Sequence, residues 1–486
     1  MDVLLVNPSN RTQVYQHLGS ELTAVEPPIW AGFMATFMRN HGFCVKILDA
    51  EALELDPEQT AAEIVAARAL LNVVVVFGHQ PSASTQNMAG ASRICSALKK
   101  IAPTAPLLLV GGHVSALPEQ SLKEEDVDFV CQGEGPYTVL KLLELIKTNR
   151  LHQLSEVPGL WYREGETVKS TAPAPLIENL DKDLPTVAWD LLPMEKYRAH
   201  NWHCFDHIHE RHPYAAIYTS LGCPFKCTFC CINAPFGKSS IRYRSPQNVI
   251  EEIGVLVEKY KVKNLKIADE MFVLSIPHVE GICDQIIQRG YNLNIWAYAR
   301  VDTVKDGLLP KMKRAGFNWL ALGIESGSKH VRDGAHKRFT QDDIRDTVRS
   351  IQAVGINVIG NYIFGLPDDD LNTMKETLDM ALDLNCEFAN FYSAMAYPGS
   401  PLYSMAVKEG WRLPANWHGY SQHSVDTLPL PTRHVPAAEV LRFRDQAFHT
   451  YFSSPRYIDY VKSKFGADTA SHVREMAVHR LERKFV

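Results

Sequence analysis

The 486-residue sequence predicts an α/β fold in three parts, and three observations support this class. Short β-branched runs alternate with helical segments in the first third of the chain, which is typical of a doubly wound, Rossmann-like parallel sheet. Six further strand-like runs alternate with helices up to about residue 396, which predicts a partial (β/α)6, TIM-like barrel. The remainder of the chain is mainly helical in its apolar spacing.

Five short runs predict the strands of the N-terminal sheet. Helical stretches of about a dozen residues, such as PIWAGFMATFMRN, separate them. We therefore expect a first domain over residues 1–145, followed by a linker over 146–205. The predicted strands are VLLVNP (3–8), CVKILDA (44–50), VVVVFG (73–78), PLLLVGG (106–112) and VDFVCQGEG (127–135).

Six more runs predict the barrel, which we place at residues 206–405. Periodic helices such as PQNVIEEIGVLVEKY lie between them. The region 406–486 is predicted to form helices that cover the open side of the barrel. The predicted barrel strands are YAAIYTS (214–220), VKNLKIAD (262–269), LNIWAYA (293–299), FNWLALGI (317–324), INVIGNYIFG (356–365) and FANFYSAMA (388–396).

Composition is that of an ordinary globular protein, with 46% hydrophobic and 22% charged residues and a net charge of −5. Because nucleic-acid binding needs a concentrated basic face, we expect no nucleic-acid partner. No apolar run approaches the ~20 residues that span a bilayer. Asp2 and the turn at Asn7-Pro8 interrupt the N-terminal apolar residues, so the N-terminus does not resemble a secretory signal. These features predict a cytoplasmic protein without a membrane span.

Four of the ten cysteines lie in the short segment LGCPFKCTFCCIN. Cys223, Cys227 and Cys230 form the spacing C-x3-C-x2-C, and Cys231 follows directly. In a reducing compartment, clustered cysteines are more often metal ligands than disulfides. Structural zinc usually takes four ligands as two separated pairs. The three-cysteine loop is therefore better suited to a [4Fe–4S] cluster with one open iron.

With Phe229 included, the segment reads C-x3-C-x-aromatic-C and resembles the signature of radical S-adenosylmethionine (SAM) enzymes. The resemblance implies that the open iron chelates the amino and carboxylate groups of SAM. It also implies that an electron from the cluster cleaves the sulfonium and releases a 5′-deoxyadenosyl radical. Phe229 would then lie near the adenine. Cys231 falls outside the pattern, and we expect it to be a spectator thiol.

The same resemblance implies further SAM contacts at the ends of the later barrel strands. A carboxylate after the second strand would meet the SAM amino group. An acidic residue in LGIESGS resembles the one that binds the ribose hydroxyls, and AYPGSPLY (396–403) resembles the P-G-T-P-L-Y of one large subset. The implied SAM residues are Asp269, Glu270, Arg300, Glu325, Gly360 and Asn361.

Three loops of the N-terminal domain resemble the cobalamin-binding domain of B12-dependent radical SAM enzymes. They are EPPIWAGFMA (26–35), GGHVSALPE (111–119) and GEGPYTVLKLL (133–143). The chain has NPSNRTQ where other cobalamin domains carry D-x-H-x-x-G, so we expect no histidine as the lower cobalt ligand. The implied cobalamin contacts are Asn7, Pro8, His79, Ser82, Gly111, Gly112, His113, Gly133, Glu134 and Gly135.

The resemblance as a whole implies a cobalamin-dependent radical SAM methyltransferase with three cofactors: a [4Fe–4S] cluster, SAM and cobalamin. It would methylate an unactivated carbon or a phosphorus of a small molecule and receive electrons from a donor such as flavodoxin or ferredoxin. A cyclase or rearrangement enzyme of the same architecture is the main alternative. A tRNA methylthiotransferase would need three gathered N-terminal cysteines, but Cys44, Cys95 and Cys131 are scattered. A cobalamin sensor would not need the cysteine loop.

Overall fold

The computed structural model describes residues 1–19 and 22–486. Its first sheet contains β1 (Val3–Asn7), β2 (Val45–Asp49), β3 (Leu71–Val75), β4 (Leu107–Val110), β5 (Phe129–Cys131), β6 (Leu160–Glu164) and β7 (Thr167–Ser170). The strand order is β2-β1-β3-β4-β5-β6-β7. The first five strands are parallel, and the order reverses between β1 and β3, which is the point where doubly wound sheets bind ligands.

The hairpin β6-β7 adds two antiparallel strands to the edge of the first sheet. It is formed by GLWYREGETVKS, which lies in the predicted linker. The sheet therefore has seven strands, where the sequence predicted five, and it continues past residue 145. The three predicted boundaries between these segments of the chain remain predictions.

The second sheet has six parallel strands and forms the predicted partial barrel. Its order is β15-β14-β13-β12-β11-β8, where the strands are β8 (Tyr214–Ile217), β11 (Asn264–Ile267), β12 (Asn294–Arg300), β13 (Phe317–Glu325), β14 (Asn357–Phe364) and β15 (Phe388–Ser393). A separate antiparallel pair, β9 (Ser220–Gly222) and β10 (Ile241–Tyr243), follows the first barrel strand. The carboxyl ends of the six parallel strands define one edge of the barrel.

Helices connect the strands and build the C-terminal region. The N-terminal ones are α1 (Arg11–Tyr15), α2 (Ile29–Asn40), α3 (Pro57–Ala67), α4 (Ala83–Ile101), α5 (Gly112–Ala116), α6 (Pro118–Glu124), α7 (Pro136–Lys147) and α8 (Leu180–Asp183). The barrel helices are α9 (Pro246–Glu258), α10 (Ile276–Arg289), α11 (Leu309–Arg314), α12 (Lys329–Gly334), α13 (Gln341–Ala353), α14 (Leu371–Leu384) and α15 (Pro401–Lys408). The C-terminal helices are α16 (Ala437–Phe452), α17 (Pro455–Phe465) and α18 (Ala467–Val478).

Capping residues explain several helix starts. The Ser245 side chain accepts a hydrogen bond from the backbone of Asn248, and Pro246 occupies the first turn of α9, where its missing N–H costs nothing. Asp370 caps α14 in a reciprocal capping box with Thr373. These helix starts fix where each preceding loop ends, and the loops carry the polar residues of the barrel edge.

The first sheet is covered on both faces, and one of these cores continues into the barrel. Leu4 and Val74 pack with Ile94 of α4, whereas Leu5 and Val73 pack on the opposite face. This second face belongs to the same hydrophobic cluster as the barrel strands. The two sheets therefore pack against each other through one continuous hydrophobic core. Within the described ranges, no helix is long and apolar enough to cross a membrane.

Candidate functional site

The cysteine loop begins at Gly222, where β9 pairs with β10. Gly222 has φ +91°, and a Cβ there would overlap the carbonyl oxygen of Ser240, so the position requires glycine. The loop leaves this base at the carboxyl end of β8 and returns at Ile241. The hairpin therefore presents the cysteines at the ligand-binding edge of the barrel, as the sequence predicted.

Cys223, Cys227 and Cys230 line one cavity of about 850 Å³, and all three are free thiols. Desolvation raises the pKa of Cys223 to about 11 and also raises the pKa of Cys230, so both thiols would be protonated at neutral pH without metal. Coordination to iron replaces these protons. Within residues 1–19 and 22–486, no group of three His, Cys, Asp or Glu converges as a single-ion site. The three sulfurs fit a cluster, in which each thiolate binds its own iron.

The Pro398-Gly399 turn holds the cysteine loop from the other side, a role that its sequence did not predict. The backbone N–H of Leu402 donates to the carbonyl of Thr228 at 2.8 Å. A Cβ at Gly399 would lie 2.8 Å from Ala234 and 3.1 Å from Ala116 of α5. The AYPGSPLY segment therefore connects the cysteine loop, the last barrel strand and the first domain.

Arg300 ends β12 beside the cysteine loop. Its Nη1 lies 3.4 Å from Cys227 Sγ, and its guanidinium stacks 3.9 Å from the centroid of the Phe225 ring. Asp302 accepts two hydrogen bonds from Arg300 at 2.9 and 3.0 Å, which fixes the guanidinium plane. The arrangement places a permanent positive charge next to a sulfur that would carry negative charge.

The two acidic residues after β11 have different environments. Asp269 is fully buried and accepts hydrogen bonds at 2.6 Å from the backbone and hydroxyl of Thr219 and from the Ser220 hydroxyl. It ties the end of β11 to the connection between β8 and β9 and does not line the cavity, so the structure gives no support for its expected SAM contact. Glu270 lines the cavity and has no hydrogen-bond partner among the described residues. Burial raises its pKa to about 8.

Glu325 lies at the end of β13 with φ +67°, a strained conformation for a residue other than glycine. Its carboxylate pairs with Lys337 Nζ at 2.7 Å, and both side chains line the cavity. Lys337 also approaches the Gly323 carbonyl at 3.4 Å. Lys337 carried no recognisable sequence signal, because it reaches the site from a loop twelve residues beyond Glu325.

Phe229 and Asn361 also line the cavity. The Asn361 amide donates to Leu322 O at 3.1 Å, and its oxygen accepts from Asn390 at 2.9 Å, so its orientation is fixed. Gly360 does not line the cavity. A Cβ there would lie 2.7 Å from the Tyr362 ring, so this glycine has a packing role in the structure.

Two of the expected cobalamin residues reach the same cavity from the first sheet. His79 and Ser82 lie in the loop after β3, at the reversal point of the strand order. His79 Nε2 lies 2.7 Å from the carbonyl of Pro27, and Nδ1 lies 3.1 Å from the carboxylate of Glu26. Glu26 also pairs with the buried Lys266 of β11 at 2.8 Å. The His79 ring is therefore held by a polar network that joins the two sheets.

Three other expected cobalamin residues bind protein groups. Asn7 Nδ2 donates to Asp49 at 2.8 Å. Glu134 forms a buried ion pair with Arg242 of β10 at 2.6 Å. His113 is buried against Trp417, with ring centroids 4.4 Å apart, and burial lowers its pKa to about 3. None of the three lines the cavity of the cysteine loop.

The remaining expected cobalamin residues form the turns after β1, β4 and β5. A Cβ at Gly111 would lie 2.7 Å from the carbonyl oxygen of Val76, whereas at Gly112 it would lie 3.5 Å from Ser84. Close packing therefore explains why a glycine is needed at Gly111, but it does not explain the glycine at Gly112. The other members of this set, none of which lines the cavity, are Pro8, Gly133 and Gly135.

Comparisons with known proteins agree with this architecture. Residues 16–143 match the B12 binding domain family, and residues 217–381 match the Radical SAM superfamily. The chain is 28% identical over 459 residues to an uncharacterized methyltransferase of Pyrococcus horikoshii, covering 94% of each protein. It is 28% identical over 410 residues to the anaerobic magnesium-protoporphyrin IX monomethyl ester cyclase of Rubrivivax gelatinosus, covering 83% of this chain and 69% of the relative.

The fold also matches a solved structure. The radical SAM methyltransferase TsrM from Kitasatospora setae, with cobalamin and a [4Fe–4S] cluster bound, superposes with a TM-score of 0.69. The identity is 17%, and the match covers 99% of this chain and 100% of that one. The two matched domains imply a [4Fe–4S] cluster, SAM and cobalamin as cofactors. The chain therefore carries a B12 binding domain followed by a radical SAM domain, which is the domain pair of cobalamin-dependent radical SAM enzymes.

Proposed function

We propose that the protein is a methyltransferase that adds a methyl group to an unactivated carbon, or to a phosphorus, of a small-molecule substrate. One observation carries the proposal. The cysteine loop of the barrel and the loop after β3 of the B12-binding domain line a single cavity. A methyl group carried on one side and a radical generated on the other can meet one substrate only if both sides share such a space.

When bound, the cluster with SAM supplies the radical that removes a substrate hydrogen, and cobalamin supplies the methyl group. The chain's own residues hold and orient these groups. Cys223, Cys227 and Cys230 would ligate three irons, and Arg300 would balance their charge. Glu270 and Glu325 would bind the amino group and the ribose of SAM, with Phe229 and Asn361 beside the adenine or ribose. His79 and Ser82 would face the corrin.

The cavity walls also favour radical chemistry. Trp202, Trp296 and Phe388 contribute large apolar surfaces to the lining. Such walls exclude water, and with it the side reactions of reactive intermediates. The cavity volume of about 850 Å³ lies within the range of ordinary ligand sites.

Radical cyclisation without methyl transfer is the second candidate. The similarity to the anaerobic cyclase of Rubrivivax gelatinosus favours it, whereas the similarity to the methyltransferase of Pyrococcus horikoshii favours methylation. The Pyrococcus relative matches over nearly its whole length, and the cyclase over about two thirds of its length. We therefore place methyl transfer first.

Deuterated-methyl SAM separates the two candidates. Anaerobically reconstituted protein would be incubated with CD3-SAM, a reductant such as flavodoxin or ferredoxin, and a small-molecule extract of the source cells. Methylation predicts an extract component that gains one CD3 group, with S-adenosylhomocysteine and 5′-deoxyadenosine formed alongside it. A product that contains no deuterium and forms together with 5′-deoxyadenosine would contradict methyl transfer and support cyclisation.

A further inference from the structure

The C-terminal region contributes a buried group of charges to the wall of the same cavity. Arg444 of α16 and Arg483 beyond α18 both bind the single carboxylate of Asp445. The side chains of the two arginines are 7% and 5% exposed, and all three residues line the cavity. Two buried cations therefore share one anion.

Of the two arginines, Arg444 is the one with a side-chain nitrogen that makes no hydrogen bond within the described ranges. Its Nε donates to the carbonyl of Phe391 at 2.7 Å, and its Nη1 donates to Asp445 at 2.8 Å. Its Nη2 has no hydrogen-bond partner in the described part of the chain. Arg483, in contrast, uses all three nitrogens on Asp445, Thr427 and nearby carbonyls. Arg444 is therefore the cation that can accept a further partner.

Within residues 1–19 and 22–486, Arg444 and Arg483 form ion pairs with Asp445 alone. The carboxylate of Glu325 lines the same cavity but is paired with Lys337 at 2.7 Å. Burial lowers the pKa of His423 to about 3, so its ring is uncharged. Arg442, at the cavity rim, adds a further positive charge and has no ion pair among residues 1–19 and 22–486. An excess positive charge in a poorly solvated site is costly unless an anion joins it.

Hydrogen-bond donors suited to an anion line the same cavity as Arg444. Tyr392 of β15 and Tyr15 of α1 line the cavity, and neither hydroxyl has a partner within the described ranges. Burial raises the pKa of both phenols, so both remain protonated donors. The His423 ring stacks on Tyr15 with centroids 5.5 Å apart, and its Nδ1 is buried without a hydrogen bond. Four elements thus bring unused polar atoms to this cavity.

We propose that Arg444, with Tyr392 and Tyr15, forms a subsite for an anionic group of the substrate, either a carboxylate or a phosphoryl group. A guanidinium beside hydroxyl donors binds both oxyanions. Asp445 offsets only one of the two buried cations, and the bound anion completes the charge balance. The rest of the substrate extends through the cavity toward the cysteine loop. As a substrate subsite, this inference rests on the proposed function.

Small aromatic anions can test the subsite without turnover. Benzoate and phenyl phosphate would be titrated calorimetrically into the holoenzyme reconstituted with cluster and cobalamin, with benzyl alcohol as the uncharged probe. We expect at least one anion to bind, and benzyl alcohol to bind more weakly by roughly tenfold or more. The better of the two anions identifies the chemical class. Equal binding of the anions and the alcohol would overturn the inference.

Two substitutions with opposite expected effects separate recognition from folding. R444Q removes the cation and should weaken anion binding roughly tenfold or more. D445N removes the competing carboxylate and should strengthen anion binding, which a damaged fold would not do. R474Q changes an exposed arginine of α18 outside the cavity and should leave the affinity unchanged. Unchanged affinity in R444Q, or weaker binding in D445N, would contradict the subsite.

These titrations are independent of the proposed reaction. Anion binding that depends on Arg444, together with a CD3-free product, would support the subsite and overturn methyl transfer. Methylation with no Arg444-dependent anion binding would support the proposed function and overturn the subsite.

Discussion

The ligand-binding edges of the two sheets differ in how their polar residues are used. At the barrel edge, most of the predicted residues line the cavity, including Cys223, Cys227 and Arg300. At the edge of the first sheet, only His79 and Ser82 do so, while residues such as Glu134 bind other protein groups.

This difference reflects the chemistry that each edge must supply. A metal cluster needs covalent ligands at defined spacing, so the barrel edge has a compact sequence signature. A large organic cofactor is held by shape and backbone approach, which many turn sequences provide.

The largest expected effect is loss of iron at the barrel edge. Cys223→Ala removes one of three thiolates, and we expect reconstituted protein to lose nearly all cluster iron and its visible absorption. The matched control is Cys231→Ala, which changes the adjacent buried cysteine and should keep the iron content of the unmodified protein. Equal iron in both variants would refute the assignment of the triad.

Glu134→Gln tests whether Glu134, at the ligand-binding edge of the first sheet, binds protein groups rather than cobalamin. The change breaks a buried ion pair with Arg242, and we expect the free energy of unfolding to fall by about 3 kcal/mol. Cobalamin affinity of the folded protein should stay unchanged, because Glu134 does not line the cavity. Denaturant titration measures the first quantity and equilibrium dialysis the second. A stable variant with weakened cobalamin binding would make Glu134 a cofactor contact instead.

Glu270 should make the stability of the apoprotein depend on pH. Its pKa is raised from 4.5 to about 8 by burial, so the folded chain holds a proton that the unfolded chain has lost. The free energy of unfolding should therefore decrease as pH rises from about 4.5 to 8. E270Q should remove this part of the pH dependence, as measured by denaturant midpoints. Identical pH profiles for the two proteins would contradict the raised pKa of the desolvated Glu270 carboxyl.

The smallest expected effects concern Gly111 and Gly112, two adjacent glycines at the ligand-binding edge of the first sheet. Gly111→Ala brings a Cβ within 2.7 Å of a backbone carbonyl and should lower the thermal midpoint clearly. Gly112→Ala meets only ordinary contacts and should change stability by less than about 1 kcal/mol. If cobalamin lies against Gly112, this variant should lose cobalamin affinity without losing stability. An unchanged affinity would remove Gly112 from the cofactor site.

The sequence predicted the barrel well because its signals are local. All six predicted barrel strands overlap observed ones, and α16 spans the AAEVLRFRDQAFHTYF segment that was expected to be helical. The cysteine spacing predicted a loop that the structure places at the carboxyl ends of the strands. Local periodicity did not reveal that β6 and β7 join the first sheet, because hairpin pairing with an edge strand is a tertiary event.

The contacts that sequence reasoning missed join distant parts of the chain. Asp269 was expected to face SAM, but the hydroxyls of Thr219 and Ser220 bind it. Lys337 and Arg444 reach the cavity from a loop and a C-terminal helix whose sequences carry no motif. A spacing pattern identifies residues that act together within one loop, whereas the partner of a buried charge depends on packing between elements.

The central claim is that the cluster and cobalamin face one cavity. Electron paramagnetic resonance of the holoenzyme, prepared with reduced cluster and Co(II) cobalamin, tests it most directly. We predict spin–spin coupling between the two centres, seen as splitting or faster relaxation of the cobalt signal that is absent from the Cys223→Ala protein. A cobalt spectrum identical in both proteins, with the cluster shown to be reduced in the unmodified one, would contradict the claim.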